Sequence, residues 1–173
     1  MGEVIAVLSG KGGTGKTSVC AGIAEALAVQ GEKILCIDCD VGLRNLDISL
    51  GISELGTLSF LDVSENGYTL DMATRHPVYG NLYFLTAPVN CAAGEVDAQA
   101  FYEMLQKARS CFTYVFLDAP AGIETGFALA AKYADRAIVV TGPDPASVRD
   151  ASRAGEVLEL MGKDNVRLIV NRI

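Results

Sequence analysis

A three-layer α/β/α fold is predicted, with a mostly parallel, doubly wound sheet carrying helices on both faces. Three observations support it. Short, near-continuous apolar runs recur along the chain, as strands buried on both faces require. Segments with helical spacing lie between most of them, which is how parallel strands are connected. The first apolar run also leads straight into a glycine-rich stretch, residues 9–17 (SGKGGTGKT), and from there into a helical pattern. Strand, glycine loop, helix is the context in which a phosphate-binding loop occurs.

Taken in order, the first strand is expected over residues 4–8 (VIAVL). Val19, Cys20, Ile23, Ala24, Leu27 and Ala28 then recur at helical spacing, and Gly31 can end that helix. Further strands are expected over 33–37, 82–86, 114–117, 137–141 and 166–170, and helices over 99–109, 125–132 and 146–161. Residues 48–77 are less regular. Their patches Leu58-Ser59-Phe60-Leu61 and Leu70-Asp71-Met72-Ala73 read as short surface helices, and residue chemistry assigns the region no function. His76, the single histidine, precedes Pro77 in an expected turn and reads as solvated.

The 173 residues suit one domain, 1–173, with a substantial core. Half of them are hydrophobic and 20% are charged, a globular composition. The net charge of −7 argues against a surface built for nonspecific nucleic-acid binding. No apolar run approaches the length of a membrane span, and a strand containing Glu3 stands where a signal peptide would begin, so a cytoplasmic protein is expected. The five cysteines (20, 36, 39, 91 and 111) suggest no disulfide framework. Cys36 and Cys39 form a C-x-x-C but read as buried small side chains.

The loop fits the spacing G-x-x-x-x-G-K-S/T as Gly10, Gly15, Lys16 and Thr17. Glycines let a tight turn aim several N–H groups at one anion, and the following helix adds the positive end of its dipole. The phosphates of a nucleotide would thus lie along Gly10, Lys11, Gly12, Gly13, Thr14, Gly15, Lys16, Thr17 and Ser18. Lys16 would neutralise the β- and γ-phosphates and the Thr17 hydroxyl would ligate Mg²⁺. Asp38 and Asp40 follow the second strand at i and i+2, on one side of an extended chain, where both can face the metal and the attacking water. The fourth strand ends in Asp118, placed to help hold Mg²⁺. In the next turn Gly122 lacks a Cβ that would keep its N–H from the γ-phosphate. Ser147 is a candidate cap for the helix expected from residue 146.

Lys11 begins a run, Lys11-Gly12-Gly13-Thr14-Gly15-Lys16-Thr17, that resembles the deviant phosphate loop K-G-G-x-G-K-S/T of the MinD/ParA/nitrogenase-iron-protein ATPases. The resemblance implies a P-loop NTPase fold of the SIMIBI type. It also implies that Lys11 reaches a partner's nucleotide across an ATP-dependent homodimer, as an arginine finger does. The stretch from Asp38 to Asp47, D-C-D-V-G-L-R-N-L-D, looks like switch I of the MinD branch, and D-A-P-A-G-I-E from Asp118 looks like its switch II. By that resemblance Asp40 positions or activates the water, and Asp38 sits in the outer sphere of the Mg²⁺. Asn171, with Arg172 beside it, takes the place of an asparagine that contacts the adenine base. Ser147-Val148-Arg149-Asp150 is similar to the family's S-V-R-D.

The implied activity is ATP hydrolysis in a switch that places the division septum, with MinC as partner and MinE where it occurs. Family members dock on the inner membrane through a C-terminal amphipathic helix. This sequence stops at Ile173, just past the expected base-reading strand, so that helix and part of the adenine pocket are expected only in a longer parent. Two other functions compete. A ParA-like or flagellar-number-regulating ATPase shares the loop, and the acidic balance weighs against DNA binding. An iron–sulfur electron-transfer protein needs converging cysteines, and the turn after Asp118 has none.

Overall fold

The computed structural model describes residues 1–173 except Gly42, Glu54, Asn90, Ala92 and Ile173. The described strands are β1 (Glu3–Leu8), β2 (Ile34–Asp38), β3 (Thr74–Arg75), β4 (Leu82–Leu85), β5 (Tyr114–Asp118), β6 (Arg136–Thr141) and β7 (Val166–Val170). The helices are α1 (Lys16–Val29), α2 (Leu46–Ser49), α3 (Phe60–Ser64), α4 (Ala98–Cys111), α5 (Thr125–Tyr133) and α6 (Pro145–Leu160). Short 3₁₀ turns lie at Leu70–Met72 and Ala93–Glu95. The strands form one sheet in the order β3-β4-β2-β5-β1-β6-β7, parallel throughout except for the β3–β4 pair.

Side-chain alternation along the strands divides the core in two. Val4, Ala6, Leu8, Leu35, Ile37, Val115 and Leu117 pack on one face against Phe101 and Leu105 of α4, Phe127 of α5 and Leu158 of α6. Ile5, Val7, Ile34, Cys36, Phe84 and Phe116 pack on the other against Cys20, Ala21, Ala24 and Ala28 of α1. Leu46, Leu50 and Ile52, around α2, are buried in this second cluster. Both faces are covered over β1, β2, β4, β5 and β6, so these strands read as near-continuous apolar runs, whereas β7 at the edge is largely exposed. β1 leads through α1 to β2 on one side of it, and β5 leads through α5 to β6 on the other. The strand order therefore reverses beside β1, and the crevice at such a point opens at the carboxyl ends of the strands.

The expected strands and longer helices are present, with ends shifted by a residue or two. The short helices expected in 48–77 exist as α3 and the Leu70–Met72 turn, although Leu58 and Ser59 are not helical: Ser59 bridges to Thr86 and caps α3 in a box with Asp62. Two elements were not anticipated, β3 and α2. Cys36 and Cys39 are buried free thiols, as read from the sequence. Among the described residues no helix is long and apolar enough to cross a membrane.

Candidate functional site

Side-chain caps start α4 and α6: Asp97 accepts from the N–H groups of Gln99 and Ala100, and Asp144 accepts from that of Ser147. By contrast α1 has no side-chain cap and no acidic residue in its first turn. Its N-cap is Gly15, left-handed at φ 85°, so its first N–H groups and its dipole point into the loop. A Cβ on Gly15 would also lie 2.3 Å from Asn171 Nδ2, and one on Gly10 would lie 2.1 Å from the Asp150 carbonyl oxygen. These two glycines thus have steric reasons of their own. The loop borders a cavity of about 300 Å³ lined by residues 12–18 and by Ser9, Asp40, Leu43, Asn45, Ser49, Ala121 and Arg172. At its base the buried Ser9 and Thr14 hydroxyls find no hydrogen-bond partner among the described residues. Free N–H groups, orphan hydroxyls and a cation converging on one cavity fit a bound polyphosphate.

The cation is Lys16, buried, with Nζ 2.5 Å from Asp118 Oδ1. Asp118 is also hydrogen-bonded by the Thr17 side chain. β2 and β5 pair in register so that Asp38 sits directly beside Asp118. Asp38 accepts two N–H groups of its own loop, from Asp40 (2.9 Å) and Leu46 (3.2 Å). Burial still pushes its carboxyl up to about 6, against the pull of those hydrogen bonds. Burial raises Asp118 as well, opposed by Lys16, and raises the half-buried Asp40, again opposed by Lys16. Asp118 and Asp40 thus share one lysine at the end of the sheet, and Asp38 beside them has only backbone N–H partners, a setting that an added cation relieves. Among the described residues no group of three or more His, Cys, Asp or Glu gathers as a metal cage. Mg²⁺ suits such a place, because it takes one or two protein ligands and completes its octahedron with phosphate and water.

The other predicted residues have more particular positions. Lys11 is half-exposed, 3.8 Å from Asp144, and does not line the cavity. Gly122 has the left-handed φ of 94°, but its N–H donates to the Ser9 carbonyl (3.0 Å) and so closes the switch II turn against the loop. To meet a phosphate, as the sequence leads one to expect, this N–H must first leave the Ser9 carbonyl. Asn171 Nδ2 donates to the Thr14 carbonyl (2.9 Å), so the amide braces the phosphate loop. Arg172 lines the cavity with a left-handed backbone, φ 62°. Ser147 is buried in the first turn of α6 and donates its hydroxyl to Asp144, which is the actual cap. Gly42, within the GLRNLD stretch, lies outside the described residues.

Sequence reasoning left five wall residues without a role: Ser9, Leu43, Asn45, Ser49 and Ala121. The GLRNLD stretch signalled Leu43 and Asn45 and the turn after Asp118 signalled Ala121, whereas Ser49 lies outside both. His76 is a correction: it is 7% exposed and fully engaged, not solvated. Its partners are backbone groups, which leave no mark in a side-chain pattern.

The family model of the CobQ/CobB/MinD/ParA nucleotide binding domain matches residues 5–173. The chain belongs to this family. Within the CobQ/CobB/MinD/ParA family it is similar to the septum site-determining protein MinD of Synechocystis sp., 39% identical over 174 residues that take in 100% of this chain and 65% of that protein. Against MinD of Bacillus subtilis it is 39% identical over 178 residues, 100% of this chain and 66% of the relative. The chain thus spans less than two thirds of the length of these curated relatives. Among solved structures, a chain of the MinC:MinD cell division protein complex of Aquifex aeolicus matches with a TM-score of 0.89 at 38% identity, covering 99% of this chain and 69% of that one. MinD complexed with Mg-ADP from Pyrococcus horikoshii matches with a TM-score of 0.80 at 28% identity, over 97% of this chain and 68% of that one. A ParA family ATPase from Chlorobium tepidum, at 19% identity and a TM-score of 0.85, shares the fold.

Proposed function

We propose that this chain is the nucleotide-binding part of a MinD-type switch that binds and hydrolyses ATP and so controls placement of the division septum. One observation supports this above all: the uncapped start of α1 behind the left-handed Gly15, with buried Lys16 held at its mouth by Asp118. The triphosphate lies along the loop amides, and Lys16 transfers its ion pairing from Asp118 to the β- and γ-phosphates. Thr17 and Asp118 would hold Mg²⁺, with Asp38 beside Asp118 to support them, and the ion would supply neutralisation of phosphate charge. Asp40 orients the attacking water from the loop that Asp38 shapes. Release of Gly122 from Ser9 then lets switch II follow the γ-phosphate.

Lys11, half-exposed and outside the cavity lining, acts in trans on the nucleotide of a second copy. MinC is the inferred partner, supported by the named Aquifex complex. MinE and the inner membrane rest on the resemblance of the motifs alone. The ParA-like neighbour is alike in fold, and nothing in the site favours that reading.

The test is Lys11→Ala. Nucleotide binding should persist while ATP-dependent self-association disappears and turnover falls by as much as ~10³-fold, the scale of an in-trans cation. Light scattering with ATP and a phosphate-release assay read both. A variant that still associates and hydrolyses like wild type ends the in-trans assignment.

A further inference from the structure

Residues 48–77, which residue chemistry left without a role, contain a brace for the wall of the site. α2 has four residues, far below the ~12–15 that hold a helix alone in water. It must be fixed from outside, and it is fixed at both ends. At its start Asp38 Oδ2 accepts the Leu46 N–H (3.2 Å). At its end the Leu50 carbonyl meets His76 Nε2 at 2.9 Å. We propose that His76 is a positioning residue for the switch segment whose wall residues Asn45 and Ser49 face the cavity. The proposal rests on the nucleotide-switch reading above.

The geometry around the imidazole assigns its protons. Nδ1 receives the N–H groups of both Val78 and Tyr79 (3.1 Å each), so it is an acceptor. Nε2 faces a carbonyl, which only accepts, so Nε2 carries the hydrogen and donates to Leu50. The ring is held in this orientation. The backbone N–H of His76 donates to the Leu82 carbonyl (2.9 Å), and the Tyr79 ring stacks on the imidazole with centroids 4.9 Å apart. β3 precedes His76 and β4 follows at Leu82, so the hairpin that carries the ring is pinned to the central sheet through β2. One side chain therefore ties the end of α2 to the rigid part of the fold.

The two nitrogens do separable jobs. An asparagine at 76 can place its oxygen near the position of Nδ1 and keep the turn, but it does not reach Leu50. A glutamine can place its NH₂ near the position of Nε2 and keep the contact with Leu50 while losing the turn acceptor. Amide exchange is read at Leu50, Gly51 and Ile52, whose N–H groups close α2 onto Leu46, Ile48 and Asp47. In His76→Asn these three should exchange roughly tenfold faster, the scale of one lost buried hydrogen bond, with β4 and α1 amides unchanged. ATP turnover should fall by about the same factor while the Kd for Mg-ADP stays within roughly twofold. In His76→Gln the α2 amides and the turnover should return to within about threefold of wild type. Wild-type exchange at the three amides in His76→Asn overturns the brace, as does a loss of Mg-ADP affinity with turnover intact. A wild type that neither binds Mg-ADP nor hydrolyses ATP sinks the nucleotide reading instead, and the exchange result still decides the brace.

Discussion

The two ends of the sheet each bury a cation against a carboxylate, and they do opposite things with it. At the amino ends Arg109 forks onto both oxygens of Asp135 and also reaches the Gly2 and Tyr133 carbonyls. Asp135 accepts the Val4 N–H as well (2.8 Å), and Lys163 stands near, tied to the Lys132 and Ala134 carbonyls. Burial alone would raise the Asp135 carboxyl, but the Arg109 and Val4 hydrogen bonds and the neighbouring positive charges outweigh it and hold it below its ordinary value. At the carboxyl ends Lys16 serves Asp118, with Asp38 and Asp40 close by, and burial wins at all three carboxylates. At the amino end the chain itself supplies the partners of the carboxylate, although Arg109 Nε finds none among the described residues. The other has a surplus of carboxylate and an unfilled set of N–H donors, as a site completed by a metal and an anion requires.

Losing the cation should therefore have opposite consequences at the two ends. Lys16→Met should lower ATP turnover by about 10²–10³-fold or more, the scale for removing one charge-stabilising donor. Its stability loss should be smaller than that of Arg109→Met, because burial already holds the Asp118 carboxyl above its ordinary value with Lys16 beside it. Arg109→Met should leave Mg-ADP affinity intact and lose roughly 2–3 kcal/mol in urea, below the value for a fully buried pair because Asp135 is partly exposed. Equal stability losses in the two variants would show that the ends are not built differently.

The same contrast has a pH signature, measured without Mg²⁺ or nucleotide so that only the chain titrates. Asp135 has a folded pKa below its unfolded one. Its contribution is present above the unfolded value, about 3.9, and is lost as pH falls through the lower folded value. Asp38 has the reverse sign. Its folded pKa, about 6, lies above the unfolded value, so the stability it confers is full in acid and is lost as pH rises through about 6. Asp38→Asn, which stays neutral, should gain roughly 2–3 kcal/mol on wild type between pH 4 and pH 7. The difference between wild type and Arg109→Met should shrink below about pH 4. Urea midpoints across pH settle both. A wild-type/Asp38→Asn gap that stays constant across the range would remove the raised carboxylate.

Most of the sheet was legible because its strands are buried on both faces, and such strands look alike wherever they occur. Lys16, Asp38 and Asp118 were legible for a related reason: charge placed at the end of an apolar run needs an explanation. What escaped notice has a common physical character. α2 and β3 have four and two residues, too few for any periodicity to register. His76 is gripped by backbone groups, one of them 26 residues away at Leu50. The Gly122–Ser9 bond joins two loops through main-chain atoms alone. Side-chain patterns predict elements and charges, whereas backbone partners across loops emerge only when the chain is folded.

Asn171 is where these two kinds of information meet, and it carries the smallest expected effect. Motif resemblance makes it a reader of the adenine base. The fold has its amide donate to the Thr14 carbonyl, 157 residues away in sequence, with Gly15 kept free of a Cβ to admit it. One amide hydrogen and the side-chain oxygen remain for other partners, so both roles are chemically open to one residue. They differ in what they discriminate. A brace supports the loop that holds phosphates, and phosphates are identical in ATP and GTP. Asn171→Ala should then weaken both nucleotides alike, by about five- to tenfold for one hydrogen bond of ~1 kcal/mol or slightly more. A base reader would weaken ATP alone and leave GTP where it was. Competition binding with the two nucleotides separates the outcomes, and we expect the parallel loss, because the bond to Thr14 is the one the folded chain makes.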